Sequence, residues 1–217
     1  MKEKIKVLYE DNHLLVVIKP INILSQSDKT KDIDMLTLVK LYIKEKYQKP
    51  GNVYAGLVHR LDRPTGGIMV FAKTSKCASR LSEQIKNNEM NKRYYAVVNG
   101  ILENKKGTLE NYIKKEDSFS KIVTKEAGKY ASLDYEVIKE IDNLSLLDIN
   151  LHTGRHHQIR VQFAHINHPL YGDQRYGKED KNQLGLYAFH LEFNHPITKE
   201  RMIFEDKPKY GIFKKFN

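Results

Sequence analysis

The alternation of hydrophobic and polar residues divides this chain into many short strands and a few helices. Runs rich in β-branched and aromatic residues, bounded by Gly, Pro, Asn and Asp, are typical of strands that are at least half buried. Such runs predict strands at residues 6–9, 14–18, 68–72, 94–98, 108–113, 132–138, 144–151, 186–193 and 202–204.

Three other segments carry hydrophobic residues at helical spacing. Over residues 34–47 they recur every three or four positions, which predicts an amphipathic helix with Asp34 as its N-cap. A second helix is predicted to begin at Ser75, which can cap it, and a third carries Ile159 and ends before Pro169. Strands outnumber helices, so the pattern predicts an α+β fold.

The chain is predicted to form one domain over residues 1–217. Its 40% hydrophobic and 29% charged residues are typical of a globular protein, and a chain of this length can bury about 70% of its surface on folding. It contains no low-complexity linker, internal repeat or coiled-coil heptad. The Lys-rich residues 105–129 are predicted to form a mobile excursion, either a hairpin or an RNA-facing flap.

Charge indicates the class of partner. The 37 Lys and Arg residues exceed the 27 Asp and Glu residues, which gives a formal net charge of +10 at pH 7. A surplus of this size favours an anionic partner, and nucleic acid is the leading candidate.

Two further features favour a cytoplasmic location. Cys77 is the only cysteine, which excludes an internal disulfide and a cysteine-based metal site and is typical of a reducing compartment. We expect Cys77 to pack on the apolar side of the second helix. The longest apolar run, Leu14 to Ile18, is far shorter than the ~20 residues of a membrane span, so no membrane partner is expected.

The arginines are distributed unevenly. Only eight of the 37 basic residues are Arg, and a guanidinium binds phosphate or carboxylate through two N–H groups and stacks on bases. A chance grouping among solubilising lysines is the alternative to a functional one. Six of the eight arginines fall in or near three stretches rich in Gly, His and Thr: Arg60, Arg63, Arg93, Arg155, Arg160 and Arg175.

The first of these segments, residues 59–67, reads His-Arg-Leu-Asp-Arg-Pro-Thr-Gly-Gly. Asp62 lies between two arginines, and neighbouring positive charge favours the ionised carboxylate. Pro64 and the glycine pair predict a bend at which the backbone can approach a substrate. Asp62 is therefore a candidate functional anion, and a surface turn with a local Asp–Arg pair is the alternative.

The second segment, residues 153–161, reads Thr-Gly-Arg-His-His-Gln-Ile-Arg-Val and leads into the third predicted helix. A helix start with Gly and Arg suits an anion, because its N–H groups and its dipole attract phosphate. Arg160 lies further along the helix, where it could pair with a distant carboxylate. An exposed basic helix is the alternative.

The third segment, residues 91–100, carries two adjacent tyrosines on a predicted strand. Alternation directs Tyr94 and Tyr95 to opposite faces, so that one can pack in the core while the other stacks on a base. Ordinary packing of both rings is the alternative.

Together the three segments resemble the RluA-type pseudouridine synthases, which isomerise uridine to pseudouridine in structured RNA. The signature of that family is His-Arg-Leu-Asp followed after two residues by Thr-Ser-Gly, and residues 59–67 match it with one substitution. Residues 92–94 match its Lys-x-Tyr strand, and residues 153–160 match its Thr-Gly-Arg-x-His-Gln-Ile-Arg segment. Weaker matches at residues 9–20, 168–173 and 193–196 extend the resemblance over nearly the whole chain.

The resemblance implies an isomerase with a mixed, largely antiparallel central sheet flanked by helices and an active-site cleft across the sheet. It implies that Asp62 is the catalytic aspartate, that Tyr94 lies against the target base and that Arg160 forms an ion pair with Asp62. The implied partner is ribosomal or transfer RNA, and the implied reaction needs no metal and no cofactor. Other residues of the matching segments are expected to bind the substrate: Arg60, Arg63, Thr65, Arg155, His157 and Gln158.

The chain departs from the family pattern at several positions. Gly66 replaces the usual serine, and the other departures are Asn22, Gln162 and Tyr187. None of them falls on the three catalytic candidates. We also expect the chain to be a catalytic domain alone, without the small N-terminal RNA-binding domain of many members, so that substrate choice rests on its own basic surface.

Two other function classes compete with this interpretation. Histidines at positions 156, 157, 165 and 168 are compatible with a metal-dependent hydrolase or nuclease, but only Asp173 is near enough in sequence to add a carboxylate ligand. A non-catalytic RNA-binding or RNA-remodelling protein would use the same basic surface, but binding alone does not need a carboxylate in an anion site. The target uridine and the oligomeric state do not follow from the sequence.

Overall fold

The computed structural model describes residues 5–177 and 181–216. Its helices are α1 (Met35–Lys46), α2 (Ser75–Lys86), α3 (Gln158–His165) and a 3₁₀-helix (Gly211–Lys215). Its strands are β1 (Lys6–Glu10), β2 (Leu14–Lys19), β3 (Gly56–Leu57), β4 (Gly66–Ala72), β5 (Asn91–Asn99), β6 (Lys106–Glu116), β7 (Phe119–Val123), β8 (Lys129–Ile141), β9 (Leu144–Leu151), β10 (Leu186–Asn194) and β11 (Arg201–Glu205). The predicted α+β composition is confirmed. Within the described ranges, no helix has both the length and the apolar character needed to cross a bilayer.

The chain forms two compact units, and the sequence of one interrupts that of the other. The first unit consists of Met1–Met90 and His190–Asp206, and the second of Asn91–Phe189 and Lys207–Asn217. The unit boundary falls within β10, between Phe189 and His190. The grouping of residues 1–217 into a single domain stays a prediction.

The first unit is built on antiparallel strand pairs. β2 lies between β1 and β4, with Lys6 opposite Ile18 and Leu14 opposite Ala72. β3 pairs with β4, and β11 pairs with β10. Cys77 of α2 is fully buried, which confirms its predicted packing. Strands and α2 share one hydrophobic core: Leu14, Val16, Ile68, Val70, Ala72, Cys77, Leu81, Met90, Leu191 and Phe193.

Both helices of the first unit begin at a side-chain cap. The Asp34 carboxylate accepts hydrogen bonds from the Thr37 amide at 3.0 Å and the Thr37 hydroxyl at 2.7 Å, which confirms the predicted N-cap of α1. For α2 the prediction was wrong by one residue. Thr74 is the N-cap, with its hydroxyl accepting from the Cys77 amide at 3.2 Å, and Ser75 is the first helical residue. The backbone at Thr74 is still extended, as an N-cap requires, because the chain has just left β4.

The second unit is built on an antiparallel sheet in the order β5-β9-β8-β6-β7. β6 and β7 form a tight hairpin whose turn includes Asp117 at a φ of 41°. This hairpin occupies the Lys-rich segment, so the hairpin alternative for residues 105–129 is confirmed. A hydrophobic cluster joins β5, β9 and β10 to the 3₁₀-helix: Val97, Leu144, Leu146, Tyr187, Phe189, Ile212, Phe213 and Phe216.

Candidate active site

The loop that contains Asp62 lies in the first unit, between β3 and β4. His59 ties its start to the sheet, because the Nε2 atom accepts a hydrogen bond from the Val70 amide at 3.1 Å. The Asp62 carbonyl accepts from the Thr65 amide at 3.0 Å, which closes the predicted bend. Asp62 is half-buried and Arg60 is exposed. The loop therefore presents charged side chains on a backbone that is anchored at both ends.

Lys19, the last residue of β2, is fully buried and holds the same loop. Its Nζ atom donates to the carbonyls of Pro20 at 2.9 Å, Ile23 at 2.6 Å and Arg63 at 3.1 Å. Burial lowers the pKa of Lys19 to about 7; the negative charge of Asp62 opposes this change and the positive charge of Arg63 adds to it. The three N–H groups of the ammonium match the three carbonyls.

Arg63 contacts the segment that follows β2. Its Nε atom donates to the Asn22 carbonyl at 3.2 Å, and its Nη1 atom lies 2.8 Å from Oδ2 of Asp32. Asn22 has a φ of 63°, the left-handed conformation that glycine adopts freely and asparagine tolerates better than most residues. This conformation explains why asparagine can stand where the family often has glycine.

Tyr94 lies on β5 in the second unit. It is 7% exposed, whereas Tyr95 stacks on Phe189 with ring centroids 3.8 Å apart. Arg93, on the same face as Tyr95, pairs with Asp148 and lies 5.5 Å above the Phe189 ring. Tyr95 and Arg93 are thus engaged in packing on one face, and Tyr94 occupies the other.

Gln158 organises the start of α3. Its Oε1 atom accepts hydrogen bonds from the Thr153 hydroxyl at 2.8 Å and the Arg155 amide at 3.0 Å, and its Nε2 atom donates to the Ser132 carbonyl at 3.1 Å. Arg155 also donates from Nε to the Tyr130 carbonyl at 2.8 Å. Gln158 therefore shapes the turn that carries Arg155, and its contact with a substrate stays a prediction.

The two histidines before α3 stack on each other, and His156 contacts Ser120 of β7 while His157 contacts Tyr176. Their ring centroids are 3.8 Å apart, and His157 has a φ of 54°. The Tyr176 hydroxyl lies 2.9 Å from Nδ1 of His157 and accepts a hydrogen bond from the Ser120 amide at 2.7 Å. The Ser120 hydroxyl lies 3.0 Å from Nδ1 of His156. In residues 5–177 and 181–216, no three His, Cys, Asp or Glu side chains are grouped as metal ligands.

Arg160 of α3 forms a buried ion pair with Asp173. The Nε–Oδ2 distance is 2.8 Å and the Nη2–Oδ1 distance is 2.7 Å. Asp173 also accepts hydrogen bonds from the backbone amides of Arg175 at 3.0 Å and Tyr176 at 3.2 Å. Burial acts to raise the pKa of Asp173, but the hydrogen bond and charge of Arg160, together with the two amides, outweigh it and hold this pKa below its usual range.

The position of Asp173 depends on the residue before it. Gly172 has a φ of 68°, and a Cβ atom there would lie 2.5 Å from the Gln183 carbonyl oxygen. Glycine is therefore the residue that this turn can accommodate without a shift of the backbone.

The family resemblance implies Asp62, not Asp173, as the partner of Arg160. A guanidinium has five N–H groups, so two contacts with Asp173 are compatible with a second acceptor. Asp62 and Arg160 belong to different units. Their pairing stays a prediction.

A family described as RNA pseudouridylate synthase matches residues 13–165 of this chain. The matched segment is more than half of the chain and includes Asp62, Tyr94 and Arg160. The chain belongs to the RNA pseudouridylate synthase family. The resemblance seen in the sequence is confirmed, and the protein is an isomerase.

Several proteins named as pseudouridine synthases are similar along most of this chain. An uncharacterized RNA pseudouridine synthase of Aquifex aeolicus is 35% identical, over 93% of this chain and 68% of its own length. The ribosomal large subunit pseudouridine synthase D of Zymomonas mobilis is 31% identical, over 93% of this chain and 68% of its own length. The tRNA pseudouridine synthase C of Yersinia pestis is 31% identical, over 98% of this chain and 91% of its own length.

A solved structure shows the same fold. The human RNA pseudouridylate synthase domain containing 4 protein superposes with a TM-score of 0.79, covering 93% of this chain and 88% of its own, at 20% sequence identity. The predicted fold class, a mixed and largely antiparallel sheet with helices, is confirmed.

The predicted site residues of this pseudouridine synthase fall into two groups. The first unit carries Arg60, Asp62, Arg63 and Thr65 on one loop. The second unit carries Tyr94 on β5 and brings together Arg155, His157, Gln158 and Arg160 at the start of α3.

The sequence did not predict three residues that hold these groups in place. Lys19 and Asp173 lie in segments that weakly match the family, so the motif was a signal that could have found them. Tyr176 lies in no matching segment, and its role depends on contacts with residues 16 to 56 positions away in the sequence, so nothing local indicates it.

Proposed function

We propose that this pseudouridine synthase acts on uridine in ribosomal or transfer RNA with Asp62 as the catalytic aspartate. The observation that carries the proposal is the anchoring of the Asp62 loop. Hydrogen bonds involving Val70, Thr65 and Lys19 fix its backbone while the carboxylate side chain stays half-buried. A reacting group held by its surroundings keeps its geometry when the substrate binds.

Two relatives support the substrate class. The Zymomonas mobilis protein is named for the large ribosomal subunit and the Yersinia pestis protein for tRNA. The net charge of +10 favours either RNA, since counterions are released when Lys and Arg neutralise phosphates.

The proposed reaction changes the bond that joins uracil to ribose. The C1′–N1 bond breaks, the uracil rotates and a C1′–C5 bond forms, while C5 loses its proton to solvent and N1 gains one. Atoms and electrons balance, so the reaction requires no oxidant or reductant. Asp62 acts as a nucleophile on the sugar or on the ring, or as a base at the ribose, and these three roles remain alternatives.

The other catalytic candidates have distinct proposed roles. Tyr94 lies against the target uracil and retains it after the glycosidic bond breaks. Arg160 pairs with Asp62 and sustains its charge, and the two-point contact with Asp173 supports this role because it fixes the guanidinium.

The proposed substrate-binding residues contact the surrounding RNA. The target uridine must leave the RNA stack, at a cost of a few kcal/mol, and Arg60 helps to open or fill the stack. The Thr65 hydroxyl is buried and has no hydrogen-bond partner within the described residues, so it is an unsatisfied polar group in the Asp62 loop. The remaining members of this group are Arg63, Arg155, His157 and Gln158.

The proposed enzyme works without metal or cofactor, in the cytoplasm. The isomerisation needs no electron transfer, and the set of catalytic candidates consists of a carboxylate, a phenol and a guanidinium. A location in the cytoplasm is supported by the single buried cysteine, Cys77.

Tritium release tests the proposed function. RNA with tritium at uracil C5 is incubated with chelator-treated protein, and the wild type is expected to release tritium to water. Asp62→Asn is expected to abolish release without changing the Kd for RNA. Asp28→Asn removes an exposed carboxylate of the same unit that accepts hydrogen bonds from Thr30, and it is expected to keep full activity.

The alternatives give different results. No release by the wild type, with RNA binding intact, would support the non-catalytic RNA-binding protein. Activity lost with chelator and restored by a divalent cation would contradict the metal-free reaction, and undiminished release by Asp62→Asn would exclude the assigned aspartate.

A further inference from the structure

Ser25 makes two hydrogen bonds to the residue that precedes Asp62. Its hydroxyl donates to the Leu61 carbonyl at 2.7 Å and accepts the Leu61 amide at 3.0 Å. Ser25 is 5% exposed and Leu61 is 6% exposed. One buried hydroxyl therefore satisfies both backbone groups of Leu61, although the two residues are 36 positions apart in the sequence.

Ser25 is itself fixed by the start of α1. The Met35 amide donates to the Leu24 carbonyl at 2.8 Å, and the Leu36 amide donates to the Ser25 carbonyl at 3.3 Å. The first amides of a helix have no partner within the helix, so these contacts satisfy them and hold the segment from outside. The Ser25 hydroxyl thus projects from a rigid support.

The same segment also holds the residue that follows Asp62. Lys19 donates to the Arg63 carbonyl at 3.1 Å, while Ser25 holds Leu61. Asp62 is therefore flanked on each side by a backbone group that residues 19–25 fix. The Leu61 carbonyl belongs to the peptide unit that directly precedes Asp62, so the contact from Ser25 acts on the orientation from which the Asp62 side chain extends.

We propose that Ser25 is a positioning residue for Asp62, because its hydroxyl fixes the Leu61 peptide and so the direction in which the Asp62 carboxylate points. This inference depends on the proposed function, since it assumes that Asp62 reacts. Removing the hydroxyl leaves the buried Leu61 amide and carbonyl without this partner, and the loop turns to find others. A displacement of about 1 Å at a reacting group can lower a rate by about 100-fold.

The test compares Ser25→Ala with a matched buried serine. Ser145 is fully buried and donates a hydrogen bond to the Gly100 carbonyl at 2.9 Å. It belongs to the second unit, however, and is far in sequence from the Asp62 loop. Single-turnover tritium release and RNA Kd are measured for both alanine variants, with Tm as the measure of stability. Amide hydrogen exchange is followed in the peptide that covers residues 60–64.

Ser25→Ala is expected to lower the single-turnover rate by about 10- to 100-fold, to leave the RNA Kd unchanged and to speed exchange over residues 60–64. Both alanine variants are expected to lower Tm by similar amounts, but Ser145→Ala is expected to keep the wild-type rate. Ser25→Thr keeps the hydroxyl and is expected to restore most of the rate lost in Ser25→Ala.

The outcomes separate the two proposals. An active wild type together with an unchanged rate in Ser25→Ala overturns the role of Ser25 and leaves the proposed function intact. An equal loss of rate in Ser25→Ala and Ser145→Ala assigns the effect to stability and also overturns the role. A wild type that releases no tritium overturns the proposed function, and the inference with it.

Discussion

Arg160 and Asp173 form a two-point ion pair in which both side chains are withdrawn from solvent, at 5% and 0% exposure. A buried pair contributes less than its Coulomb attraction, because both charges lose their hydration. Removing only one partner is costly, since it leaves the other charge buried without compensation. The pair is therefore expected to affect stability most when only one of its two side chains is replaced.

We expect Asp173→Ala to lower the free energy of unfolding by about 3–5 kcal/mol, because Arg160 keeps its charge in a buried position. Urea unfolding monitored by circular dichroism measures the change. Asp134→Ala in the same unit is the control: Asp134 is 47% exposed and pairs with the similarly exposed His152, so a loss of at most about 1 kcal/mol is expected. Equal losses in the two variants would contradict the importance of burial.

The buried Glu10 carboxylate is the centre of a second charge network, in the first unit. Its side chain is 6% exposed and accepts hydrogen bonds from Tyr42, Lys46, Tyr47 and Lys73 at 2.6–2.9 Å. Burial acts to raise the pKa of Glu10, but the hydrogen bonds from Lys46, Lys73, Tyr47 and Tyr42 outweigh it and lower this pKa from 4.5 to about 2.

The network predicts how stability depends on pH. Because the pKa of Glu10 is lower in the folded chain, its contribution is fully present above pH 4.5 and is lost as the pH falls towards 2. We expect Glu10→Gln to lower the free energy of unfolding by about 3 kcal/mol at neutral pH, and the difference from wild type to shrink across this window. Urea unfolding at a series of pH values measures it.

The control for Glu10 is Glu136→Gln. Glu136 is 56% exposed and pairs with the exposed Lys106, so its loss is expected to cost at most about 1 kcal/mol. A Glu10→Gln difference that stays constant from neutral pH to about pH 2 would show that the carboxylate charge is not the cause.

RNA affinity is expected to fall steeply with salt, because the basic surface neutralises several phosphates. If the β6–β7 hairpin and the turn that follows it contact RNA, replacing Lys115 of β6 and Lys125 of that turn by Gln should reduce the slope of log K against log[salt] by about 1–2. Filter binding at several salt concentrations measures the slope. Replacing Lys40 and Lys44 of α1 by Gln is the control, because it removes two positive charges outside the hairpin. RNA binding that does not depend on salt would contradict the electrostatic mechanism.

Much of the fold follows from local patterns. α1 and its Asp34 cap were predicted because the hydrophobic spacing and the capping residue lie within one segment. β7 was not predicted, since its five residues include a serine and a lysine and alternate only weakly, and its pairing depends on the turn at Asp117. Ser75 and Thr74 could not be distinguished as caps, because both carry a hydroxyl and only the backbone conformation decides between them.

The candidate site could be predicted only as far as its motifs extend. Asp62, Tyr94 and Arg160 lie in recognisable segments, but the contacts of Ser25 with Leu61 and of Lys19 with Arg63 join residues 36 and 44 positions apart. No local pattern encodes such pairs. Residues that support a site are therefore harder to predict than residues that carry its chemistry.

The interrupted order of the two units has a consequence for synthesis on the ribosome. Residues 1–90 emerge first, but the core of their unit also needs Leu191 and Phe193, which emerge a hundred residues later. The second unit likewise waits for Ile212 and Phe213. Each core is completed by residues near the C-terminus, so a premature stop codon before residue 190 would leave neither unit complete, and a product that ends at residue 206 would contain only the first unit in full.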